Sequence, residues 1–298
     1  MIALNLGSMS SLERAAVRRF FDRASGHYGD AAVLQAQVRE ELLDRLRLIA
    51  VEPEVVVDLG SGPGMAARAL AKAFPRAEVI AADIAPGMLR AARRHAGLLR
   101  TFHRVAADAC RIPLKSGSVG LVFSNLMLQW CESQDRVFEE VQRILKPGGF
   151  FAFSTFGPQT LWELRAAWAA VDANPHVHDF VDIHDLGSAL SRAGFQEPVL
   201  DIDRVIRRYH DPGVLMRELQ SIGARNASSA RARGLTGRDK FRRMLAAYDA
   251  ESPRGNAGDP AYSVSATFEI IYGAAWAAQA PRGEFAVHAG SLRVRQRP

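Results

Sequence analysis

The sequence predicts a doubly wound α/β fold, in which an open and mostly parallel sheet carries helices on both faces. Short apolar runs alternate with helical patterns through the middle of the chain, as they do in folds of this class. The first run, residues 54–59, holds three consecutive valines and leads into glycines, which is typical of a strand buried on both faces. The 298 residues, 48% of them hydrophobic, are enough for one large core.

The individual elements follow from the period of the apolar residues. Two amphipathic helices are expected at 12–23 and 31–49, where apolar residues recur every three or four positions. The expected strands are 54–59, 77–83, 102–107, 119–125, 150–156, 199–209 and 264–272. The expected helices between them are 65–74, 86–95, 133–145 and 185–193, with 146–149 as a turn and 157–181 as an irregular segment.

A helical insertion at about 212–250 separates the last two of the seven predicted strands. Because an insertion between neighbouring strands must fold back over the sheet, we expect it to form a lid. The chain thus divides into N-terminal helices that cover the active site (1–50), a sheet core (51–209), the lid (210–262), the last core strand (263–279) and a C-terminal tail (280–298). The Arg, Gly and Pro content of the tail is typical of disorder.

The net charge of +6 is concentrated in one segment. Residues 204–243 hold eleven Lys or Arg and three acidic residues, which favours an acidic partner; the alternative is a composition bias from GC-rich coding, because almost all basic residues of the chain are arginine. No run approaches the roughly 18 apolar residues of a membrane span, and charged residues near the N-terminus argue against a secretory signal. We therefore expect a cytosolic monomer without membrane or nucleic-acid partners. Cys110 and Cys131 fit neither a disulfide framework nor a zinc motif, so no metal is expected.

The most informative motif is a glycine loop at 58–64, directly after the first predicted strand. Glycines there allow positive φ and a close approach of the backbone to a ligand. Met65 stands where the dinucleotide fingerprint needs its last glycine, and an acid before the loop suits a ligand with an ammonium group. The loop therefore favours S-adenosylmethionine over NAD. The expected contacts are Asp58, Gly60, Ser61, Gly62 and Gly64.

Further candidate cofactor residues follow the next strands, at the same edge of the sheet. Asp83 lies 19 residues after Gly64, close to the spacing at which an acid accepts the ribose hydroxyls, although it could also cap the next helix. Asp108 and Ala109 are expected at the adenine edge; a plain loop aspartate is the alternative. The remaining candidates beside the cofactor are Ile84, Met88, Ser124 and Asn125.

These features resemble the Rossmann-like class I methyltransferases over about 54–205. Further segments narrow the resemblance to the malonyl-[acyl-carrier protein] O-methyltransferases of biotin synthesis, over nearly the whole chain. Those segments are 20–24 (Phe-Phe-Asp-Arg-Ala) with Tyr28, 33–35, 125–130 (Asn-Leu-Met-Leu-Gln-Trp), 155–161 with Glu163 and Leu164, Pro175 and His176 with Phe180, 185–187, and 219–224 with Asn226. The last strand departs from that family's pattern, because alanines stand at 274 and 275 where relatives often carry a histidine.

The resemblance implies methyl transfer from S-adenosylmethionine to the free carboxylate of a malonyl thioester on acyl carrier protein. A carboxylate with a pKa near 4 is already ionised at neutral pH, so no general base is required and positioning dominates. The candidates around the malonyl group are Tyr28 as a hydrogen-bond donor, Arg217 as the counter-charge, and Gln129, Trp130 and His176. A solvated Arg217 and a structural His176 are the alternatives.

The implied carrier is acidic, so two basic surfaces are candidates for docking it. One is the segment 204–243, and the other is the side of the first helix that carries Arg14, Arg18, Arg19 and Arg23.

Three other functions compete with this interpretation. The chain also resembles a respiratory complex I assembly factor that acts as an arginine hydroxylase; such an enzyme needs a redox metal, for which His176, His178, Asp179 and His184 are the candidate ligands. A methyltransferase of another small carboxylic acid is the second. A nucleic-acid-binding lid is the third, but Phe241 and Tyr248 are not interleaved with the arginines as stacking platforms would be.

Overall fold

A computed structural model describes residues 12–96, 102–224, 227, 237–251 and 264–279. Its centre is one seven-stranded sheet with the strand order β3-β2-β1-β4-β5-β7-β6. The strands are β1 Val55–Leu59, β2 Glu78–Asp83, β3 His103–Ala106, β4 Val119–Asn125, β5 Leu145–Phe156, β6 Gln196–Tyr209 and β7 Val264–Trp276. The first five strands run parallel, and β7 is antiparallel to both β5 and β6. This confirms the predicted α/β fold.

Helices cover both faces of the sheet, because each presents an apolar stripe that the sheet buries. The helices are α1 Arg14–Ala24, α2 Tyr28–Ala31, α3 Val33–Arg47, α4 Met65–Ala73, α5 Pro86–Ala92, α6 Gln134–Ile144, α7 Trp162–Ala169, α8 Ile183–Arg192, α9 Pro212–Ser221 and α10 Arg238–Glu251. One apolar core includes residues of α3, α4, α7 and α10, and the other includes residues of α6 and α8. None of the described helices is long and apolar enough to cross a membrane.

Three elements differ from the predicted ones. The helix expected at 31–49 is interrupted at Ala32, whose φ of −86° and ψ of 49° are not helical, so that α2 and α3 are separate. The turn expected at 146–149 lies within β5, which starts at Leu145 because that residue pairs with Val119; residues 146–149 form an irregularity in β5 before pairing resumes between Leu121 and Phe150. Helix α7 lies in the segment expected to be irregular. Its N-cap is Leu161, which has a φ of 54° and gives no capping hydrogen bond.

The helical insertion between β6 and β7 consists of α9 and α10 in the described structure, and α10 is firmly attached to the core. Met244 and Tyr248 of α10 are fully buried, and Tyr248 Oη donates a hydrogen bond to the backbone oxygen of Ser265 at 3.0 Å. On the neighbouring α7, the Glu163 carboxylate accepts hydrogen bonds from both the backbone nitrogen and Oγ1 of Thr267, at 3.1 and 2.6 Å. The insertion therefore packs over the carboxyl edge of the sheet. The predicted tail, 280–298, lies outside the described residues.

Candidate active site

The loop after β1 has a backbone shape that favours glycine. Gly60, Gly62 and Gly64 have φ angles of 75°, 52° and 80°, in the left-handed region. A Cβ on Gly60 would lie 2.2 Å from Met127 Cγ, so any side chain there would collide with the segment that follows β4. Gly60 and Gly62 line a cavity at the carboxyl ends of β1, β2 and β4, called the first cavity below. The loop thus brings backbone, rather than side chains, to the wall of that cavity.

Two buried polar atoms beside this loop have no hydrogen-bond partner among the described residues. They are Oδ2 of Asp58, a residue that is 1% exposed, and Oγ of Ser61. Burial raises the pKa of Asp58 to about 7, since the charged carboxylate is poorly solvated there. A ligand with an ammonium group would supply the missing partner and favour the charged form. The loop therefore fits the amino-acid end of S-adenosylmethionine.

Asp83, at the end of β2, ties the glycine loop to the start of α5. Its Oδ2 accepts a hydrogen bond from the Gly62 nitrogen and its Oδ1 accepts one from the Ala85 nitrogen, both at 2.8 Å. Asp83 is not the N-cap of α5, a position that Ala85 takes. Burial raises the pKa of Asp83 to about 6. Because Asp83 also lines the first cavity, its unused lone pairs can accept ribose hydroxyls.

The other predicted cofactor residues divide into lining and supporting positions. Asp108 lines the first cavity, where its Oδ1 accepts a hydrogen bond from the Cys110 nitrogen at 2.9 Å and its Oδ2 pairs with Arg14 at 2.7 Å. Ser124 is fully buried behind the wall and donates to the Leu59 oxygen at 2.9 Å. The lining positions are Gly60, Gly62, Asp83, Ile84, Met88, Asp108, Ala109 and Asn125. Asp58, Ser61, Gly64 and Ser124 do not line the cavity.

A second cavity adjoins the first and shares part of its wall. Phe21, Tyr28, Leu126 and Trp130 line both cavities, so they form the boundary between them. Burial raises the pKa of Tyr28 above its ordinary value, and its hydroxyl therefore stays protonated. The described wall of the second cavity contains no Lys or Arg. Its polar lining residues are Tyr28, Gln35, Gln129, Thr160, His176, His178, Glu218 and Gln220.

Four of the five residues predicted around the substrate meet at the second cavity. Tyr28, Gln129, Trp130 and His176 line it. Arg217 does not: it is exposed on α9, on the far side from Leu215, Met216 and Leu219, and its guanidinium folds back over Gly213. The structure therefore does not bring Arg217 to the other four, because the helical period turns it towards solvent.

Gln129 and His176 are already bonded to the protein. Gln129 Nε2 donates to the Leu126 oxygen at 2.7 Å, and its Oε1 accepts from Thr155 Oγ1 at 3.2 Å. His176 stacks on Trp168 with ring centroids 3.6 Å apart, and its Nε2 lies 2.9 Å from Asp172 Oδ1. These contacts make both residues supports of the cavity wall.

Sequence reasoning did not place Phe21, Leu126 or His178 in the site. Phe21 lies in one of the segments that carry the family resemblance, and that was the available signal. His178 was considered only as a metal ligand. The described residues contain no group of three His, Cys, Asp or Glu side chains that could hold a metal ion, so His176, His178, Asp179 and His184 do not form the metal set considered above.

Both basic surfaces contain paired and unpaired charges among the described residues: Arg208, Arg217, Arg238 and Arg243 of the segment 204–243 are exposed without an ion pair, and on α1 Arg14 pairs with Asp108 at 2.7 Å. In the segment 204–243, Arg204 pairs with Glu269 at 3.6 Å, Arg207 with Glu218 at 3.0 Å and Lys240 with Asp172 at 3.1 Å. On α1, Arg19 and Arg23 are exposed and have no ion pair among the described residues. Arg225, Arg231 and Arg233 lie outside the described residues.

This chain is similar to known methyltransferases in both sequence and fold. A family model described as "Methyltransferase domain" matches residues 57–153. Malonyl-[acyl-carrier protein] O-methyltransferases from Methylovorus sp. (strain MP688) and Laribacter hongkongensis (strain HLHK9) are 45% and 43% identical over 275 and 272 residues, which is 90% and 89% of this chain and the same shares of theirs. A Haemonchus contortus phosphoethanolamine N-methyltransferase 2, solved with phosphomonomethylethanolamine and S-adenosylhomocysteine, shares the fold: its TM-score is 0.53 at 17% identity, covering 88% of this chain and 60% of that one.

Proposed function

Since this chain belongs to the malonyl-[acyl-carrier protein] O-methyltransferase family, we propose that it methylates the free carboxylate of a malonyl thioester on acyl carrier protein, with S-adenosylmethionine as the methyl donor. One observation carries the proposal beyond family membership. Two cavities share a wall at Tyr28 and Trp130: one lies beside a glycine loop next to Asp58, whose Oδ2 has no partner among the described residues, and the other has a described polar lining that is uncharged apart from Glu218. A donor and an acceptor bound in them would meet at that wall.

In the first cavity, the residues of this chain would bind and orient the cofactor. S-adenosylmethionine supplies a methyl group on a sulfonium cation. Asp58, which is buried beside the glycine loop and does not line the cavity, would balance the charge of the ammonium group, and the Asp83 carboxylate would accept the ribose hydroxyls. Arg14 of α1 and Asp108, which follows β3, also line this cavity and form an ion pair. The apolar side chains Phe21 and Met88 exclude water from the cavity.

In the second cavity, neutral donors would hold an anion that must remain nucleophilic, and the described acid of the lining, Glu218, is paired with Arg207 at 3.0 Å. An arginine paired with the reacting carboxylate would hold its charge and lower its nucleophilicity, whereas a neutral donor such as the Tyr28 hydroxyl orients it with less loss. The reaction joins an anion to a methyl group carried by a cation, so charge is lost on the way to the product. Surroundings of low polarity favour such a step.

We further propose that the carrier docks on the outer face of α1. The inner face of this helix contributes Val17 and Phe21 to the first cavity, so its outer face lies directly above the site. Arg19 and Arg23 present two guanidinium groups there, one helical turn apart and without a pairing acid among the described residues. An acidic carrier would be attracted to them, with a strong dependence on salt.

The proposal is tested by acceptor specificity. Purified protein with labelled S-adenosylmethionine should form a base-labile methyl ester on malonyl carrier, little on succinyl carrier and none on acetyl carrier, which has no carboxylate. Equal transfer to free malonate would instead favour a methyltransferase of small acids and would remove the carrier from the proposal.

Docking is tested separately with a charge-matched pair of variants. Arg19→Ala/Arg23→Ala should raise the KM for malonyl carrier about tenfold at low salt and leave the KM for malonyl-CoA unchanged. Arg68→Ala/Lys72→Ala removes the same charge at the same spacing from the exposed face of α4 and should leave both values unchanged. An equal effect of the two pairs would contradict docking on α1.

A monomeric state and a cytosolic location remain sequence-based predictions.

A further inference from the structure

The loop between α7 and α8 carries two histidines in very different surroundings. His176 is stacked on Trp168 and paired with Asp172, as described above. His178 is 8% exposed, and its ring packs against Trp130 and Phe180, with centroids 5.1 and 4.9 Å away. Its ring also forms part of the wall of the second cavity. His178 therefore lies in the wall of the second cavity and contacts Trp130, a residue of the boundary between the two cavities.

One ring nitrogen of His178, Nε2, is buried and makes no hydrogen bond to the described part of the protein. A buried nitrogen without a partner destabilises a fold, and a phenylalanine of similar shape would fill the same space without that cost. A histidine at this position is thus explained better by a ligand than by packing.

The charge state of His178 fits the rest of the cavity. Burial lowers the pKa of His178 to about 4, an effect that Asp179 opposes in part and to which Arg165 adds. The ring is therefore neutral at physiological pH, and one of its nitrogens carries a hydrogen that it can donate. A neutral donor holds a carboxylate oxygen in place without adding a cation to the wall.

We propose that His178 is a substrate-binding residue, whose imidazole donates a hydrogen bond to the malonyl carboxylate, on the oxygen that does not take the methyl group. The proposal rests on the proposed function and adds to it the group that orients the nucleophile. Together with the Tyr28 hydroxyl, it would supply the second cavity with two neutral donors next to the shared wall.

Variants of His178 separate this role from packing. His178→Phe keeps the ring and removes the donor, so kcat/KM for malonyl carrier should fall about ten- to a hundredfold, while S-adenosylhomocysteine affinity and unfolding temperature stay at or above those of the wild type. His178→Asn or His178→Gln keeps an amide donor, and at least one of them should recover most of the rate. His184→Phe, on the exposed start of α8, is the matched control and should change nothing. A His178→Phe variant with wild-type kcat/KM would overturn the proposal, as would one whose losses merely follow a lower unfolding temperature.

A second readout does not depend on turnover. Protein loaded with S-adenosylhomocysteine is titrated with malonyl-pantetheine while the side-chain nitrogen resonances of His178 are followed by NMR. They should move with malonyl-pantetheine and stay in place with acetyl-pantetheine, which lacks the carboxylate. If the resonances move but the wild type does not methylate malonyl carrier, the proposed function is wrong and the contact between His178 and the carboxylate still holds. If the resonances do not move, the contact is wrong. If the wild type is then still active, the proposed function stands without that contact.

Discussion

Asp58 should make cofactor binding depend on pH in a range where ordinary carboxylates do not titrate. Its pKa is raised to about 7 by burial, and its Oδ2 has no hydrogen-bond partner among the described residues. Binding of a cation favours the charged carboxylate, so affinity should follow the fraction of Asp58 that is already ionised. That fraction is about one half at pH 7, about one tenth at pH 6 and about one hundredth at pH 5.

The assay is titration calorimetry with S-adenosylhomocysteine between pH 5.5 and 7.5. Affinity should rise about tenfold per pH unit below pH 7 and level off above it, until the ligand's own amino group loses its proton near pH 8. At pH 7 about half a proton should be released on binding, which is measured by comparing buffers of different ionisation enthalpy. An affinity that stays constant over this range would refute the assignment of Asp58.

Asp58→Asn is the matched variant, since it keeps the shape and cannot ionise. Its affinity should be low and should keep only the pH dependence that Asp83, with a pKa of about 6, contributes; at pH 7.5 it should be at least tenfold weaker than that of the wild type. Because the folded-state pKa of Asp58 is raised, its stabilising contribution is complete below pH 4 and is lost as pH rises towards 7. The free wild type should therefore lose stability relative to Asp58→Asn over that range, as thermal unfolding would show.

Three further substitutions give distinct outcomes. Asp83→Ala removes the predicted ribose contact and should weaken S-adenosylhomocysteine binding by about 1–3 kcal/mol; unchanged affinity would show that Asp83 does not hold the ribose. Gly60→Ala places a Cβ 2.2 Å from Met127 Cγ and should lower the unfolding temperature more than Gly117→Ala, which has a similar φ of 64° but no neighbour within 4 Å. Equal losses would mean that the loop tolerates the contact. Tyr28→Phe should lower kcat about tenfold without changing cofactor affinity. A normal kcat would show that the Tyr28 hydroxyl does not orient the malonyl carboxylate.

The first cavity could be predicted from the sequence because its parts are local. A buried strand, a glycine loop and a helix follow one another within residues 55–73, and the residues after β2 and β4 reach the same edge once the sheet is parallel. Asp83 and Asp108 were therefore predicted at this edge from their positions after the second and third strands, and both line the cavity. Helix α7 was missed because its start lacks a capping side chain and the apolar residues around it do not mark a boundary.

The second cavity could not be predicted in the same way, since its wall is assembled from distant parts of the chain. Tyr28 follows α1, Trp130 follows β4 and Leu219 belongs to the insertion after β6. Arg217 was chosen for its charge, but the direction of a helical side chain depends on which face the tertiary structure buries. His178 became a candidate for substrate binding only when the structure showed that its Nε2 has no partner among the described residues, a property that no sequence pattern encodes.

A crystal structure with S-adenosylhomocysteine and malonyl-pantetheine bound together tests the central claim most directly. The account predicts the nucleoside in the first cavity with its ribose on Asp83, and the malonyl carboxylate in the second cavity, within hydrogen-bond distance of Tyr28 and facing the sulfur across the shared wall. A malonyl group bound elsewhere, or a carboxylate turned away from the sulfur, would contradict it.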